Sequence, residues 1–262
     1  MRLWMIGCGN MGGAMLRRWI ETGVVAAGDV DVVNRGDRDL PEGVRQARDL
    51  PEGPMPDLVM LGMKPQQIDD IAARFAARIA GTPVLVSILA GVDEAALASR
   101  FAAGSIVRAM PNLPVGIGKG VVGLQSDSAG PEVRSAVAGL MAPLGLVEWV
   151  EAELFDAVTA LAGSGPGFLY RFIDALATAG VSLGFAPEQA QRLAVATVEG
   201  AGLMAAAAEE SPAVLADRVA SPGGSTREGL NVLDQGDALK GLLRETLAAS
   251  VRRNAEMAAA AR

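Results

Sequence analysis

The sequence predicts an α/β domain with a mostly parallel sheet, followed by an all-α domain. Short apolar runs alternate with helical patterns up to about residue 150, as in a parallel sheet covered by helices on both faces. After residue 152 the strand pattern stops, and apolar residues recur only at helical spacing. A length of 262 residues accommodates two ordinary domains, which we expect at residues 1–152 and 153–262.

The first domain has seven predicted strands, each a nearly continuous apolar run that is typical of strands buried on both faces. These strands are expected at 3–6, 30–34, 58–61, 84–88, 106–109, 121–125 and 147–150. Helices are expected between them, near 11–22, 66–80, 93–102 and 131–142.

The second domain has three long predicted helices. Apolar residues recur at helical spacing over 168–183, which predicts the first helix. Pro187 suits the first turn of a second helix, which we expect to end near residue 208. The third is expected at about 237–260.

Composition excludes several classes of protein. The net charge of −7 argues against a general nucleic-acid binder, and no apolar run approaches the roughly 20 residues that a membrane span needs. A single cysteine, Cys8, excludes an internal disulfide framework and a cysteine-rich metal site. The absence of histidine excludes a Ser-His-Asp triad and a histidine metal site. We therefore expect a cytoplasmic protein without a metal and without nucleic-acid or membrane partners.

A glycine-rich turn follows the first predicted strand and opens a helix. Gly7, Gly9 and Gly12 form the pattern G-x-G-x-x-G. Gly7 would allow a sharp turn, Gly9 would let a pyrophosphate approach the backbone, and Gly12 would let the helix pack closely on the strand. In this position the motif predicts a Rossmann-type dinucleotide-binding domain, and the alternative is a plain tight turn.

The end of the second strand favours NADP over NAD. NAD-binding domains usually place an acidic residue there to bond the ribose 2′-hydroxyl, whereas this chain has Asn34 and Arg35. An amide does not repel a phosphate, and a guanidinium binds one with its forked donors. The alternative is that Arg35 is a solvated charge balanced by the nearby Asp37 and Asp39.

A second glycine-rich corner, at 221–230, interrupts the helical domain. Ser225 and Glu228 form an S-x-x-E capping box, which explains a helix start but not the adjacent Gly223 and Gly224. Backbone amides freed by two glycines at a helix N-terminus form a site suited to a substrate carboxylate. The neighbouring hydroxyls would belong to Ser221, Ser225 and Thr226. Capping alone remains the alternative.

Seven motifs together resemble those of the pyrroline-5-carboxylate reductase family, in the family's order and spacing. They are GCGNMGGA, NRG, MKPQQI, AGV, RAMPNLPVGIGKG, DAVTALAGSGPGFLY and SPGGSTREGL. The resemblance implies reduction of 1-pyrroline-5-carboxylate to L-proline by NADPH, with NADH as an alternative cofactor. It also implies a homodimer formed through the C-terminal helices, which in this family often assembles into larger rings, with active sites at the dimer interface.

The resemblance assigns roles position by position. The substrate carboxylate is assigned to Ser221, Gly223, Gly224, Ser225 and Thr226, the ring nitrogen to Thr159, and the edge of the ring to Val219. The cofactor is assigned to Gly7, Cys8, Gly9, Asn10, Met11, Gly12, Asn34, Arg35, Met63, Lys64, Pro65, Ala90, Gly91, Pro111 and Asn112.

Two departures from the family pattern leave alternatives open. Leu113 and Ala162 stand where the family commonly has hydroxyl residues, so reduction of a related cyclic imino acid is one alternative. A non-catalytic NADP-binding sensor or scaffold is another alternative. Such a protein would be expected to have lost the glycine corner at 221–230, which is intact in this sequence. A hydroxyacid dehydrogenase would need a general acid, usually histidine or lysine, whereas hydride transfer to a protonated imine needs no proton from the protein in that step.

Overall fold

The computed structural model describes residues 1–260 and contains one eight-stranded sheet. The strands lie in the order β3-β2-β1-β4-β5-β6-β7-β8, and all neighbours are parallel except the antiparallel pair β6 and β7. They are β1 (Leu3–Ile6), β2 (Val30–Val33), β3 (Arg45–Ala47), β4 (Leu58–Leu61), β5 (Thr82–Ser87), β6 (Ala103–Pro111), β7 (Gly120–Gln125) and β8 (Gly145–Trp149). All seven predicted strands are confirmed, and β3 was not predicted.

Four helices of the sheet region match the predicted positions. They are α1 (Asn10–Thr22), α2 (Ile68–Ile79), α3 (Glu94–Ala98) and α4 (Pro131–Met141). Helix α3 ends four residues earlier than predicted because the chain turns to enter β6 at Ala103. Asp93 caps its start by accepting a hydrogen bond from the Ala96 N–H at 2.7 Å.

The rest of the described chain is helical. It forms α5 (Phe155–Val158), a π-helical turn (Thr159–Gly163), α6 (Gly165–Ser182), α7 (Pro187–Ala207), α8 (Pro212–Arg218), α9 (Ser225–Asp234) and α10 (Ala238–Ala260). The three long helices are confirmed, whereas α5, the π turn and α8 were not predicted. Within residues 1–260, no helix is both long and apolar enough to span a membrane.

The core of the sheet region lies on both faces of the sheet. Leu3 and Met5 of β1 pack in one cluster with Trp19 of α1, whereas Trp4 and Ile6 pack in a second cluster on the opposite face. Side chains of a strand alternate between faces, so a strand buried on both sides is apolar at most of its positions. This is why the predicted strands read as continuous apolar runs.

The chain divides into two compact units. The first contains residues 1–166 and the end of α10 from residue 249, and the second contains residues 167–248. The sheet belongs to the first unit, and the second consists of helices. The boundary expected from the sequence, between residues 152 and 153, stays a proposal about domain organisation.

Candidate functional site

The sheet order places a crevice between β1 and β4. Chain connections leave β1 and β4 in opposite directions along the sheet, and open α/β sheets bind ligands at such a point, beyond the carboxyl ends of the strands. The glycine-rich turn after β1 lies at this edge.

Gly7 is required by its backbone conformation and by a close neighbour. Its φ is +85°, and a Cβ at this position would lie 2.5 Å from the backbone nitrogen of Met63. The Gly7 N–H donates to the Val33 carbonyl at 2.8 Å. The turn is therefore fixed against the ends of two neighbouring strands.

Gly62, which the sequence did not single out, is the partner of Gly7 in this close approach. A Cβ at Gly62 would lie 2.6 Å from the Gly7 carbonyl oxygen. Its N–H donates to the Ile6 carbonyl at 2.9 Å, which holds the two backbones together. The requirement arises from a neighbouring strand, so the local sequence carries no signal for it.

Gly9 leaves the start of α1 open to a ligand. It is the N-cap residue, it supplies no side-chain cap, and a Cβ there would meet nothing within 4 Å. The first bond of the helix runs from the Gly13 N–H to the Gly9 carbonyl at 2.8 Å, so the amides of residues 10–12 have no partner within the helix. These amides and the helix dipole form a site for an anion.

Asn34 joins the glycine turn to the edge of the sheet. Its Oδ1 accepts from the Cys8 N–H at 2.8 Å, and its Nδ2 donates to Gln46 Oε1 at 3.1 Å. The sequence predicts that Asn34 bonds a phosphate of the cofactor. In the structure the amide bridges the turn and β3 while Asn34 also lines the cleft, so contact of this residue with a phosphate stays a prediction.

A cleft of about 750 Å³ opens in front of the glycine turn. Most of the expected cofactor residues line it, namely Gly7, Cys8, Gly9, Asn10, Met11, Gly12, Asn34, Arg35, Met63, Lys64 and Pro111. Four others do not, namely Pro65, Ala90, Gly91 and Asn112. Pro65 opens a short 3-10 turn before α2, and Gly91 lies in a turn with a φ of +74°. Asn112 is buried, and its side chain donates to the Ala162 carbonyl and accepts from the Val121 N–H.

The lining of the cleft is rich in cations, although the whole chain carries a net charge of −7. Asp70 is the carboxylate among its lining residues, and five lining residues are cations: Arg35, Arg38, Arg48, Lys64 and Arg74. Arg38, Arg48 and Arg74 were not predicted, because they lie outside the sequence motifs. A cleft with this charge and with free helix amides suits a phosphorylated ligand.

Cys8 is a free and buried cysteine in the glycine turn. Burial raises the pKa of its thiol to about 11, against the opposing effect of Arg17 and Arg38. A thiol with this pKa stays protonated at neutral pH and is inert.

Thr159 opens the π-helical turn and is almost fully buried. Its hydroxyl donates to the Phe155 carbonyl at 2.9 Å. Because the proton of the hydroxyl is committed to this bond, the oxygen faces any further partner as an acceptor. Single π turns in helices often occur at functional sites.

The π turn packs on the end of β6 next to the cleft. A Cβ at Gly163 would lie 3.5 Å from the Cγ of Met110, which itself lines the cleft. Asn112 donates to the Ala162 carbonyl at 2.9 Å. The backbone at Ala162 is therefore held although this residue lacks the hydroxyl of the family pattern.

The buried guanidinium of Arg108 packs against α5. The Arg108 guanidinium lies 3.9 Å from the centre of the Phe155 ring and donates to Gln125 Oε1 at 3.3 Å. Burial lowers the pKa of Arg108, and nearby carboxylates, Asp156 first, oppose that effect. The contact with Phe155 fixes the residue whose carbonyl receives the Thr159 hydroxyl.

The second glycine corner lies in the second unit and is exposed. Gly223 has φ of +71°, and the Gly224 N–H donates to the Ser221 carbonyl at 2.9 Å. The capping box expected at Ser225 and Glu228 is wrong: Gly224 is the N-cap of α9 and no side chain caps the helix. The first-turn amides of α9 are consequently open to an anion, with the hydroxyls of Ser221, Ser225 and Thr226 close by in the chain. Val219, at the end of α8, is 69% exposed.

A sheet ordered 3-2-1-4-5-6 with a glycine turn and a cationic cleft at its switch point defines a dinucleotide-binding oxidoreductase. Residues 2–91 match the family model for NADP oxidoreductase, coenzyme F420-dependent, and residues 152–257 match the model for pyrroline-5-carboxylate reductase dimerisation. The chain belongs to the pyrroline-5-carboxylate reductase family.

Relatives and solved structures agree with this placement. The pyrroline-5-carboxylate reductase of Synechocystis is 33% identical over 98% of both chains, and that of Aquifex aeolicus is 37% identical over 73% of this chain and 71% of its own. The Coxiella burnetii enzyme superposes with a TM-score of 0.88 at 30% identity, over 98% of both chains. The Plasmodium falciparum pyrroline carboxylate reductase, solved with NADP bound, has the same fold at 21% identity, with a TM-score of 0.85 and the same coverage.

Proposed function

We propose that the protein reduces 1-pyrroline-5-carboxylate to L-proline with NADPH, the final step of proline biosynthesis. The observation that carries the proposal is the cleft, in which open helix amides and a group of cations meet at the switch point of the sheet. The relatives that share most of the chain are named for this activity.

The cleft fits NADPH in its chemistry and size. A volume of about 750 Å³ lies within the range of cofactor sites. The amides at the start of α1 would hold the pyrophosphate, and Arg35 with its cationic neighbours would hold the 2′-phosphate. When bound, the cofactor supplies the hydride.

Thr159 would orient the substrate nitrogen. Its hydroxyl proton is directed to the Phe155 carbonyl, so the oxygen is an acceptor toward the substrate. A protonated imine presents an N–H donor, and the neutral imine presents an acceptor instead. Thr159 therefore favours the protonated form, which accepts hydride at carbon and becomes a neutral amine without a proton from the protein.

The corner at 221–226 would bind the substrate carboxylate. The open amides at the start of α9 and the exposed hydroxyls are suited to an anion of this size. We propose that this corner and Val219 border the substrate ring.

The family match to a dimerisation domain supports self-association. We propose a homodimer through the C-terminal helices, with assembly into a larger ring as a further step. Large apolar residues are exposed on α6 and α7, among them Phe172 at 47% and Leu203 at 55%. Burial of such residues between subunits would stabilise a dimer. We also propose a cytoplasmic location.

The test is the loss of NADPH absorbance when purified protein is mixed with 1-pyrroline-5-carboxylate. We expect turnover with this substrate and none with 2-oxo acids. Turnover only with another cyclic imino acid would replace the proposed substrate. Binding of NADPH without turnover on any of these compounds would favour a sensor or scaffold.

A further inference from the structure

Three arginines that line the cleft are linked by two hydrogen bonds, each from the guanidinium of one arginine to the backbone carbonyl of the next. Arg74 of α2 donates from Nη2 to the Arg48 carbonyl at 2.7 Å. Arg48, which follows β3, donates from Nη1 to the Arg35 carbonyl. Three separate segments of the chain thus place three guanidinium groups on one cleft.

The carboxylate partners of these arginines hold them weakly. Arg35 lies 3.5 Å from Asp70, and Arg48 lies 3.3 Å from Asp37. The side chains of Arg35 and Arg48 are 71% and 64% exposed, and ion pairs in such positions contribute little. A phosphate dianion, which accepts forked hydrogen bonds from a guanidinium, would compete well for both groups.

Strand β3 fixes the loop that carries Arg35. Gln46 Oε1 accepts from the Arg38 N–H at 3.0 Å, and Gln46 Nε2 donates to the Arg38 carbonyl at 3.3 Å. The Asn34 N–H donates to the Ala47 carbonyl at 3.0 Å. The part of the β2–β3 loop from residue 34 to residue 38 is therefore held at both of its ends, and Arg48 follows directly after the strand that holds it.

We propose that Arg48 is a specificity-determining residue that binds the 2′-phosphate of NADPH together with Arg35. Arg74 is a positioning residue that acts by holding the backbone of Arg48. The inference rests on the proposed use of NADPH. It assigns the protein's discrimination between NADPH and NADH to a pair of guanidinium groups.

The first experiment compares kcat/KM for NADPH and for NADH in Arg48→Ala. We expect the ratio of the two values to fall about tenfold, because one of two charge-assisted contacts to the 2′-phosphate is lost. Arg48→Lys, which keeps the charge without the fork, should recover part of the ratio. An unchanged ratio in Arg48→Ala would overturn the proposal.

Arg78→Ala is the matched control. Arg78 lies one helical turn after Arg74 and bonds to Asp49 and to the Leu50 carbonyl, outside the cleft lining. Its removal should lower stability and leave the cofactor ratio unchanged. If the ratio falls equally in Arg78→Ala, loosening of the loop explains the effect and Arg48 has no specific role.

A double variant tests the role of Arg74. If Arg74 acts through Arg48, Arg74→Ala lowers the ratio in the wild-type background and has no further effect in Arg48→Ala. Arg74→Lys, whose ammonium can still donate to the Arg48 carbonyl, should restore the ratio. Additive losses would show that Arg74 binds the phosphate itself and would overturn the positioning role.

Calorimetry with 2′,5′-ADP and 5′-AMP separates this proposal from the proposed function, because it needs no turnover. We expect tighter binding of 2′,5′-ADP by the wild-type protein and loss of that preference in Arg48→Ala. If the protein binds both probes equally, the phosphate assignment fails even when the reductase activity is present. If the preference is found but no imino acid is reduced, only the proposed function fails.

Discussion

Gly62→Ala tests the close approach of two backbones that forms the cofactor site. A Cβ at position 62 would lie 2.6 Å from the Gly7 carbonyl oxygen, whereas ordinary contact begins at 3.4 Å, so one backbone must move by about 0.8 Å. Both are held, Gly7 by the Val33 carbonyl and Gly62 by the Ile6 carbonyl. Overpacking of this kind costs about 1–3 kcal/mol. At about 2–4 °C for each kcal/mol, Tm should fall by roughly 2–12 °C.

The same displacement should weaken the binding of NADPH, because it moves the Gly7 turn. We expect the KM for NADPH to rise at least several-fold. Gly13→Ala is the control: its Cβ would meet only Cys8 Sγ, at 4.0 Å, inside α1, where alanine is favoured over glycine by about 1 kcal/mol. Thermal unfolding followed by circular dichroism should show opposite shifts for the two variants. If Gly62→Ala keeps both the Tm and the KM of the wild type, the close approach does not constrain the site.

Three further predictions concern single side chains. Thr159→Val should lower turnover about tenfold or more with NADPH binding intact, and Thr159→Ser should keep most of it, because the hydroxyl that donates to the Phe155 carbonyl is proposed to accept from the substrate nitrogen. Equal rates in both variants would remove this role. Gly224→Leu should raise the KM for 1-pyrroline-5-carboxylate strongly, because the carbonyl oxygen of Ser221 lies only 3.1 Å from the Cβ position and a larger side chain would distort the corner. An unaffected KM would count against a carboxylate site there. Burial raises the pKa of Cys8 from 9.0 to about 11, so the unfolded chain loses this proton first and the free energy of unfolding should fall as pH rises from about 9 to about 11. Denaturant unfolding should show a smaller alkaline fall for Cys8→Ala, and an identical fall would mean that the thiol is not responsible.

The strands and long helices could be predicted because their signal is local. Buried strands such as β1 and β4 are apolar at every position, and α7 begins at a proline as its sequence suggests. Strand β3 gave no such signal: its three residues, Arg45, Gln46 and Ala47, are exposed or half-buried at the edge of the sheet. An edge strand of this length is held by pairing with its neighbour, which no pattern within it reveals.

Residues of the candidate site could be predicted where they belong to one continuous sequence motif. Gly7 and Gly9 were identified from spacing, and the structure gives each a physical reason, a positive φ for Gly7 and open space for Gly9. Gly62 and Arg48 were missed because the features that matter, a carbonyl from another strand and a shared cleft, exist only after folding.

The helix start at Ser225 shows a different limit of sequence reasoning. The S-x-x-E pattern predicted a capping box, yet the backbone before α9 places Gly224 at the N-cap position. A residue without a side chain then leaves the amides open. The pattern identified the correct helix and assigned its chemistry to the wrong residue.

Strand β3 has a consequence for how cofactor preference can change in evolution. Its pairing to β2 involves three residues, and the side chain of Arg48, the residue after the strand, is exposed and belongs to neither core cluster. If Arg48 binds the 2′-phosphate as proposed, its substitution would alter the recognition of one phosphate group while the packing of the sheet is conserved. A lineage could shift between dinucleotides through a change at this one position, whereas a change at the contact of Gly7 with Gly62 would destabilise the protein and displace the turn that faces the cofactor.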